Sequence, residues 1–414
     1  MRKIFIIALL VSSVNLFAQK SLTVQSVTGE VEEIDIPENM ILSVDSLLSD
    51  WHAKNYLSVT TEDCNYEDVN PTYPDSIYID RLSRIPTIME MPYNEIVRKF
   101  IDMYSGRLRK SVSYMLGASN FYMPIFEQAL DLYNLPYELK YLPIIESALN
   151  PKAVSKAGAA GLWQFMLGTG KLYGLQANSL VDERRDPIKS TYAAARYLSD
   201  LYNIYKDWNL VIAAYNCGPG TVNKAIHRAN GATDYWSIYN YLPKETRGYV
   251  PAFIAANYIM NYYCDHNICP MNTQLPLATD TIHVNRDLHF QQISDLCDID
   301  LESLHALNPQ YKTEIIPGNS GDCTLRLPQA ALTAFIDAKD SIYTHRAAEL
   351  FTKRKQVAVK KASQSTAGAQ YYKIRRGDTL SEIAEKFGTS VRRLRSLNGI
   401  RGNRITAGKS IRVR

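Results

Sequence analysis

The C-terminal third of the sequence contains one small module twice, and this repeat limits the folds that the region can adopt. Residues 282–308 align without gaps on residues 372–398, and Gly318 meets Gly408 at the same offset. In each copy two short runs with helical spacing lie between alternating segments, which predicts the order strand, helix, helix, strand. We therefore expect two small α+β modules, at 280–328 and 371–414. Residues 329–370 are expected to form a helix and a flexible linker, because 352–370 are basic and then small and polar.

The region before the repeat has the period of helices. Ile125, Phe126, Ala129, Leu130 and Tyr133 fall on one helical face, and no strand pattern interrupts the helical segments until about residue 280. The sequence therefore predicts an all-α domain at 91–275. Residues 19–90 mix short apolar runs with turn-forming residues and sustain neither period, so we expect an irregular N-terminal extension.

The first 18 residues have the organisation of a secretory signal peptide. Arg2 and Lys3 precede the mostly apolar stretch 4–17, which Ala18 follows. An uncleaved membrane anchor is the alternative, but this stretch is shorter than the ~20 apolar residues that a membrane-spanning helix needs. We expect an exported protein, in the periplasm or the cell envelope.

Six cysteines are compatible with disulfides in an exported protein. Cys264 and Cys269 are close neighbours, and Cys297 and Cys323 bracket one module, which suggests two bridges. Cys64 and Cys217 then lack evident partners. The sequence alone does not determine the pairing.

The charge of the chain is concentrated at its end. The chain carries a formal net charge of +4, whereas residues 371–414 hold 12 Lys and Arg against 3 Asp and Glu, a net charge of +9. A basic face of this kind attracts an anionic polymer, or is simply solvated. Export excludes nucleic acid as the partner, so an anionic cell wall is the expected one.

Glu146 is the candidate catalytic residue. It is the one acidic side chain in the stretch 141–165, and no Asp or Glu follows until Asp182. Pro143 can begin a helix and Asn150 before Pro151 can close it, which places Glu146 near a helix C-terminus among apolar neighbours. Helix dipole and burial both favour the protonated carboxyl group, which is the form that a general acid needs.

Side chains suited to sugar binding follow Glu146. Trp163 offers a flat face, Gln164 offers both a donor and an acceptor, and Tyr215 offers a hydroxyl group on an apolar ring. In order, Glu146 and Ser147, the GLWQ motif at 161–164, the AYN motif at 214–216 and Tyr249 in ETRGYVPAF resemble the soluble-lytic-transglycosylase domain family.

This resemblance implies a lysozyme-like fold and a site with one essential carboxyl group. It implies that Glu146 protonates the glycosidic oxygen, that the acetamido group of N-acetylmuramic acid attacks the anomeric carbon, and that Glu146 then deprotonates the C6 hydroxyl group to give a 1,6-anhydro end. The matched substrate-binding positions are Ser147, Ser155, Trp163, Gln164, Met166, Tyr215, Asn216 and Tyr249. Trp163 stands where the family commonly has Met, and Cys217 stands where a small Ser or Ala is usual.

A second carboxylate would indicate hydrolysis instead. Asp182, Glu183 and Asp186 are the candidates if the chain folds back toward Glu146, because a hydrolase needs its two carboxyl groups within ~10 Å. Asp186 before Pro187 instead fits the cap of the next helix. Neither a Cys/His pair nor a metal-ligand spacing occurs among the His residues, so we expect no cofactor and no metal.

Residues 371–414 resemble a LysM domain, a carbohydrate-binding module for N-acetylated glycans. The resemblance assigns glycan contact to Gly377, Asp378, Thr379, Leu380 and Asn398. In the first copy Asp287, Leu288 and His289 replace Gly377, Asp378 and Thr379, and four extra residues precede the last strand. We interpret this copy as a degenerate LysM-like module.

Three functions agree with these features. The first is a peptidoglycan lytic transglycosylase with LysM-mediated glycan binding, associated peripherally with the wall. The second is a hydrolytic muramidase or chitinase on the same fold, and the third is a non-catalytic peptidoglycan-binding scaffold. The products of the reaction and the effect of Glu146→Gln distinguish them.

Overall fold

The structure is a computed structural model of the 414-residue chain. It describes residues 21–25, 31–41, 69–273, 275–276, 278–338, 340–351, 371–375, 377–400, 402 and 405–413. The predicted signal peptide and residues 352–370 of the expected linker lie outside these ranges. The chain divides into two compact units, 1–345 and 346–414, and each is described by itself.

The N-terminal segment is not irregular where it is described, which corrects the expectation for 19–90. Strands β1 (Ser21–Gln25) and β2 (Val31–Asp35) form an antiparallel hairpin, and helix α1 spans Asp75–Arg84. Each strand places one fully buried side chain, Val24 or Ile34, in the core of the helical region. Strands this short show too little alternation for a sequence period to reveal them.

The region after α1 is built from helices, as predicted. Nine α-helices lie between residues 95 and 262 of the described chain: α2 (Glu95–Ser105), α3 (Arg109–Leu132), α4 (Leu142–Ser147), α5 (Leu167–Leu172), α6 (Pro187–Tyr205), α7 (Trp208–Cys217), α8 (Pro219–Arg228), α9 (Tyr235–Ile238) and α10 (Lys244–Tyr262).

Local sequence explains where these helices begin. The side chains of Asn94, Asp186 and Asp207 accept hydrogen bonds from backbone N–H groups in the first turns of α2, α6 and α7. Pro187 and Pro219 occupy the first turns of α6 and α8, where a missing N–H group costs nothing. The cap predicted at Asp186 is therefore confirmed.

Helix α10 is the centre of the helical core. Every residue from Gly248 to Met260 is buried. The β1–β2 hairpin packs on the first turns of α10, where Arg247 forms an ion pair with Glu32 at 2.7 Å. Gly248 permits this contact, because a Cβ atom there would lie 2.7 Å from the carbonyl oxygen of Asp35. The described N-terminal segment is therefore part of the wall around α10.

The first α+β module follows the helical region. Strands β3 (Thr279–Val284) and β6 (Cys323–Pro328) pair antiparallel around helices α11 (Phe290–Cys297) and α12 (Leu301–Leu307). A second antiparallel pair, β4 (Asp287–His289) with β5 (Ile315–Pro317), has no counterpart in the sequence-derived order. Helices α13 (Gln329–Ala338) and α14 (Asp340–Thr344) complete the unit.

Both suggested disulfide bridges are wrong, whereas Cys217 is a free thiol, as expected. Cys264, Cys297 and Cys323 are free thiols, whereas Cys269 is disulfide-bonded. Cys297 lies buried in the core of the module, but the thiol of Cys323 is in hydrogen-bonding contact with the Tyr311 hydroxyl group. Cys64 lies outside the described residues.

The second unit contains the second module. After the short helix α15 (Ala347–Leu350), strand β7 (Tyr371–Lys373), helices α16 (Leu380–Lys386) and α17 (Val391–Asn398) and strand β8 (Ser410–Arg412) follow in the predicted order. Strands β7 and β8 pair antiparallel. The predicted fold class, an all-α domain followed by small α+β modules, is confirmed.

Candidate active site

A cavity of about 480 Å³ lies in the helical region beside Glu146. Its wall comes from the N-terminal segment, the loop 153–166 and helices α4, α5, α6, α7 and α10. The lining residues are Pro37, Glu38, Ile145, Glu146, Ser155, Ala157, Ala159, Gln164, Phe165, Met166, Thr169, Tyr197, Tyr215, Asn216, Cys217, Gly218, Glu245 and Tyr249. This volume is in the range of small-ligand sites.

Glu146 lies in the last turn of α4. The helix ends abruptly, because Ala148 and Leu149 both adopt left-handed backbone conformations. Desolvation raises the pKa of Glu146 to about 8, and the negative charge of Glu245 acts in the same direction. Tyr249 donates a hydrogen bond to Glu146 Oε1, which favours the charged form and limits the rise in the pKa. Glu146 is therefore mostly protonated at neutral pH.

Two tyrosines from different helices complete the surroundings of Glu146. Tyr249 is buried in α10, and burial together with the nearby Glu146 carboxyl group raises its pKa well above the ordinary value. Tyr215 in α7 donates a hydrogen bond to the carbonyl oxygen of Trp163 at 2.7 Å. Tyr215 thus presents its ring to the cavity while its hydroxyl group holds the loop 153–166.

The loop 153–166 supplies polar groups to the cavity. Gln164 has a left-handed backbone conformation (φ 46°), and its amide nitrogen donates to the carbonyl oxygens of Ala153 at 3.2 Å and Gly161 at 2.8 Å. Its Oε1 atom accepts no hydrogen bond from any residue that the structure describes. Ser155 and Met166 lie in the same wall. The loop therefore places three of the predicted substrate-binding side chains in the cavity wall.

The AYN motif supplies a third side of the cavity. The Oδ1 atom of Asn216 accepts a hydrogen bond from the Thr246 hydroxyl group at 2.8 Å, which links α7 to α10. Cys217 also lines the cavity and is half-buried, and desolvation raises the pKa of its thiol. The six predicted substrate-binding residues in the wall are thus Ser155, Gln164, Met166, Tyr215, Asn216 and Tyr249.

Two predicted substrate-binding residues lie outside the wall. Trp163 is 1% exposed, packs edge-on against Phe126, and donates its indole N–H to Thr191 Oγ1 at 2.8 Å. Ser147 is fully buried, and its hydroxyl group bonds to the carbonyl oxygens of Pro143 and Leu162. The predicted direct glycan contact of these two side chains is therefore wrong, because the core encloses both. They support the residues that form the cavity wall.

Sequence reasoning missed two carboxylates in the wall. Glu245 lies one turn before Tyr249 on α10, and Glu38 enters the wall from the N-terminal segment. Glu38 pairs with Lys156 at 3.1 Å. The four-residue spacing in ETRGY was a usable signal for Glu245, because residues i and i+4 share a helix face. No comparable signal existed for Glu38.

The carboxylates first considered as partners of Glu146 have other roles. Asp182 accepts hydrogen bonds from the Arg184 side chain at 2.9 and 2.8 Å, and its pKa is lowered because this pairing outweighs desolvation. Glu183 pairs with Lys189 at 2.6 Å, and Asp186 caps α6. None of the three lines the cavity.

The predicted LysM site is partly occupied by contacts within its own module. Leu380 is buried in the core, and the Asn398 amide group bonds to the backbone of Leu394 and Arg412. Thr379 caps α16, and Asp378 accepts hydrogen bonds from the Tyr372 hydroxyl group and the Arg375 backbone. Gly377 is exposed with φ 101°. Glycan contact by these residues stays a prediction.

Neither a metal site nor a membrane span is evident in the described part of the chain. No group of three or more His, Cys, Asp or Glu is arranged to hold a metal ion there. The helices in the same ranges all lack the length and apolar character needed to cross a bilayer.

Family models match three parts of the chain. Residues 123–238 match the transglycosylase SLT domain, residues 278–344 match the LysM-like domain of lytic transglycosylase MltD, and residues 372–414 match the LysM domain. The fold and the site therefore define a protein with a lysozyme-like SLT domain followed by two LysM-type modules. We refer to residues 278–344 as the LysM-like module.

The chain is also similar to known proteins. The chain is 33% identical to membrane-bound lytic murein transglycosylase D of Escherichia coli K12 over 284 residues, which cover 68% of this chain and 60% of that protein. It is also 33% identical to the soluble lytic murein transglycosylase of E. coli K12 over 124 residues, 28% of this chain and 19% of that protein. A crystal structure of the 70 kDa soluble lytic transglycosylase from E. coli matches 34% of this chain and 24% of its own, with 30% identity and a TM-score of 0.31.

Proposed function

We propose that this protein is an exported peptidoglycan lytic transglycosylase. It cleaves the β-1,4 bond between N-acetylmuramic acid and N-acetylglucosamine without water and leaves 1,6-anhydro-N-acetylmuramic acid ends. The proposed organisation is a signal peptide at 1–18, an N-terminal extension at 19–90, the catalytic domain at 91–275, the first α+β module at 280–328, a helix and linker at 329–370, and a LysM domain at 371–414.

The carboxyl group of Glu146, desolvated in the cavity wall and hydrogen-bonded by Tyr249, is the observation that carries this proposal. With its pKa raised to about 8, Glu146 holds a proton at neutral pH and can donate it to the glycosidic oxygen as the C1–O bond breaks. The acetamido oxygen of the N-acetylmuramic acid that carries this C1 atom forms a bond to C1. The Glu146 carboxylate next accepts the C6 hydroxyl proton while O6 replaces the acetamido oxygen on C1, which restores the protonated acid.

The polar groups of the cavity support substrate positioning in this reaction. Gln164 and Tyr215 lie in the cavity wall, where an amide group and an aromatic ring suit contact with an N-acetylated sugar. Tyr249 fixes one oxygen of Glu146, so the proton is presented from a defined direction.

Hydrolysis is the second candidate, and Glu245 is the observation that favours it. Its carboxylate shares the cavity with Glu146 and raises the pKa of Glu146, as a general base in a two-carboxylate site would do. A muramidase or chitinase would use Glu245 to activate water, and would release reducing ends.

Mass spectrometry of the fragments released from purified peptidoglycan tests both candidates. Non-reducing products that are one water lighter than hydrolytic fragments support the transglycosylase. Reducing ends that disappear in Glu245→Gln support hydrolysis. If wild type releases fragments and Glu146→Gln releases none, Glu146 is the general acid. If wild type releases no fragments, the protein acts as a non-catalytic peptidoglycan-binding scaffold.

Glycan strands are the proposed partner of the LysM domain, and the protein is expected to associate peripherally with the wall in the periplasm or cell envelope. The basic 371–414 segment supports this association, because its charge attracts an anionic sheath. We propose neither nucleic acid nor a cofactor as a partner.

A further inference from the structure

The LysM-like module and the catalytic domain exchange hydrophobic residues. Val181, from the loop before α6, is buried in the hydrophobic cluster of the module, and Leu180 packs against the same cluster. In return, Leu307 of α12 is buried in the core of the catalytic domain. Each of the two hydrophobic cores thus contains a buried side chain from the other domain, which distinguishes the module from a tethered appendage.

Backbone hydrogen bonds reinforce this junction. The N–H group of Asp182 donates to the carbonyl oxygen of Gln310 at 2.8 Å, and the N–H group of Lys312 donates to that of Leu180 at 2.9 Å. Val181 and Tyr311 form an isolated β-bridge between them. The module therefore fixes the backbone on both sides of Val181.

Arg184 connects this fixed segment to the loop 153–166. Its guanidinium group forms two hydrogen bonds with the carboxylate of Asp182, and its Nη1 atom donates to the carbonyl oxygens of Gly158 at 2.8 Å and Phe165 at 3.0 Å. The Arg184 side chain is 11% exposed and that of Asp182 is 3% exposed. Because the planar guanidinium group of Arg184 is enclosed and bonded on both sides, it holds Asp182 at a fixed distance from the loop 153–166.

The two segments also touch through their backbones. A Cβ atom on Gly161 would lie 1.8 Å from the carbonyl oxygen of Arg184, and Gly161 has a φ of 86°. Only glycine fits both conditions without strain. The loop 153–166 therefore rests directly on the segment that the module fixes.

This loop carries Ser155, Gln164 and Met166 into the cavity wall. In the LysM-like module itself, the positions that match Gly377, Asp378 and Thr379 form strand β4, which pairs with β5, and Leu288 is fully buried. In this module, the residues equivalent to the predicted glycan contacts of the LysM domain are thus paired with a neighbouring strand.

We propose that the LysM-like module acts as a structural mount for the substrate-binding loop, and that Arg184 is the positioning residue that transmits this support. This rests on the proposed function only in naming the ligand of the loop as a glycan. Arg184 holds the loop 153–166 in the conformation that binds substrate. Without the Arg184 side chain, Ser155 and Gln164 lose their fixed positions. Support of this kind acts on short glycans as well as on intact wall.

Arg184 variants of the full chain test the proposal with soluble glycan fragments of about four sugars. Arg184→Gln is expected to raise KM about tenfold and to change kcat less than about twofold, because it loosens binding groups and leaves Glu146 and Tyr249 in place. The basic limb of the pH profile stays where it is in wild type. Arg184→Lys, which keeps the charge but loses the fork, is expected to be intermediate. Arg84→Gln, which removes an exposed arginine paired with Asp80, is the control.

Hydrogen exchange provides a readout that needs no activity. The backbones of Ala160 and Phe165 form two hydrogen bonds with each other within the loop. In Arg184→Gln their amide hydrogens are expected to exchange with solvent about tenfold faster, while the amides of the helices stay protected. Unchanged exchange in the loop overturns the role of Arg184 even if the enzyme is active. An inactive wild type refutes the proposed function and leaves this readout valid. Faster exchange throughout the helices would mean a general loss of stability and would also overturn the proposal.

A variant at the junction tests the mount itself. Leu180→Asp places a charge against the hydrophobic cluster of the module, whereas Leu172→Asp alters a leucine that is 80% exposed and serves as the matched control. Leu180→Asp is expected to raise KM for short fragments and to speed exchange at Ala160 and Phe165. If Leu180→Asp weakens only the binding of intact peptidoglycan and leaves short-fragment kinetics unchanged, the module acts by holding glycan and the proposal fails.

Discussion

Two residues on one face of α10 act in opposite directions on the pKa of Glu146, and this yields a paired prediction. The Tyr249 hydrogen bond favours the carboxylate, whereas the Glu245 charge favours the protonated acid. Tyr249→Phe is therefore expected to raise the pKa of Glu146, and Glu245→Gln is expected to lower it. Both changes keep the size of the side chain almost constant.

The magnitudes follow from the contacts. A hydrogen bond to a charged group contributes roughly 1.5–3 kcal/mol, which corresponds to roughly 1–2 pH units at 1.36 kcal/mol per unit. The Glu245 charge contributes less to the pKa of Glu146 than this hydrogen bond does, so its removal is expected to give a smaller shift in the opposite direction. We expect Tyr249→Phe to move the basic midpoint above 8 and Glu245→Gln to move it below 8.

The pH dependence of kcat/KM on soluble glycan fragments measures these changes, because it reports the free enzyme. Activity needs the protonated acid, so it is present at pH values below the pKa of Glu146 and is lost as pH rises through about 8. Tyr241→Phe, at an exposed tyrosine that does not line the cavity, is the control. Shifts in the same direction, or no shift in either variant, would refute the assignment of Glu146 as the titrating acid.

Three further predictions concern stability and binding. Between pH 4.5 and about 8, native Glu146 keeps a proton that the unfolded chain releases, so the free energy of unfolding of wild type falls as pH rises. Glu146→Gln avoids this loss. Denaturant unfolding should show that the variant gains roughly 2–4 kcal/mol in free energy of unfolding relative to wild type between pH 4.5 and pH 9. Gly248→Ala should destabilise the protein by ~1–3 kcal/mol and lower activity, because its Cβ atom would push the Asp35 carbonyl group off α10; Gly220→Ala, where nothing lies within 4 Å, is the control in thermal unfolding. Sedimentation with purified peptidoglycan should show binding of 371–414 falling as salt rises, and binding that is insensitive to salt would exclude steering by its net charge of +9.

The local parts of the site could be predicted from the sequence. Glu146 near the end of a short helix among apolar residues, and the cap at Asp186, both follow from residues within one or two turns. Tyr249 and Tyr215 were predicted from motifs, and both lie in the cavity wall. Short-range signals sufficed because each depends on one segment.

Long-range placement was beyond such signals. Trp163 looked like a stacking platform, but whether an aromatic ring faces a cavity or a core depends on distant helices, and Phe126 and Thr191 enclose it here. Glu38 reaches the cavity through a hairpin that is more than a hundred residues away from Glu146 in the sequence. The predicted pairing of Cys297 with Cys323 failed for the same reason: a bridge requires two thiols to meet in space, and both thiols are free here.

The composition of the cavity wall explains why one acid can stay protonated there. Glu38, Glu146 and Glu245 are its ionisable carboxyl groups, and no Lys or Arg belongs to the described lining residues. A basic side chain next to Glu146 would stabilise its carboxylate and lower its pKa, whereas a second carboxylate opposes ionisation. Within the wall, the predicted sugar-binding side chains Tyr215 and Gln164 form neutral hydrogen bonds to the carbonyl groups of Trp163 and Gly161. The charged Arg184, which also holds the loop 153–166, is not a lining residue of the cavity. The composition of the wall therefore favours the protonated form of Glu146 at neutral pH, as the proposed general acid requires.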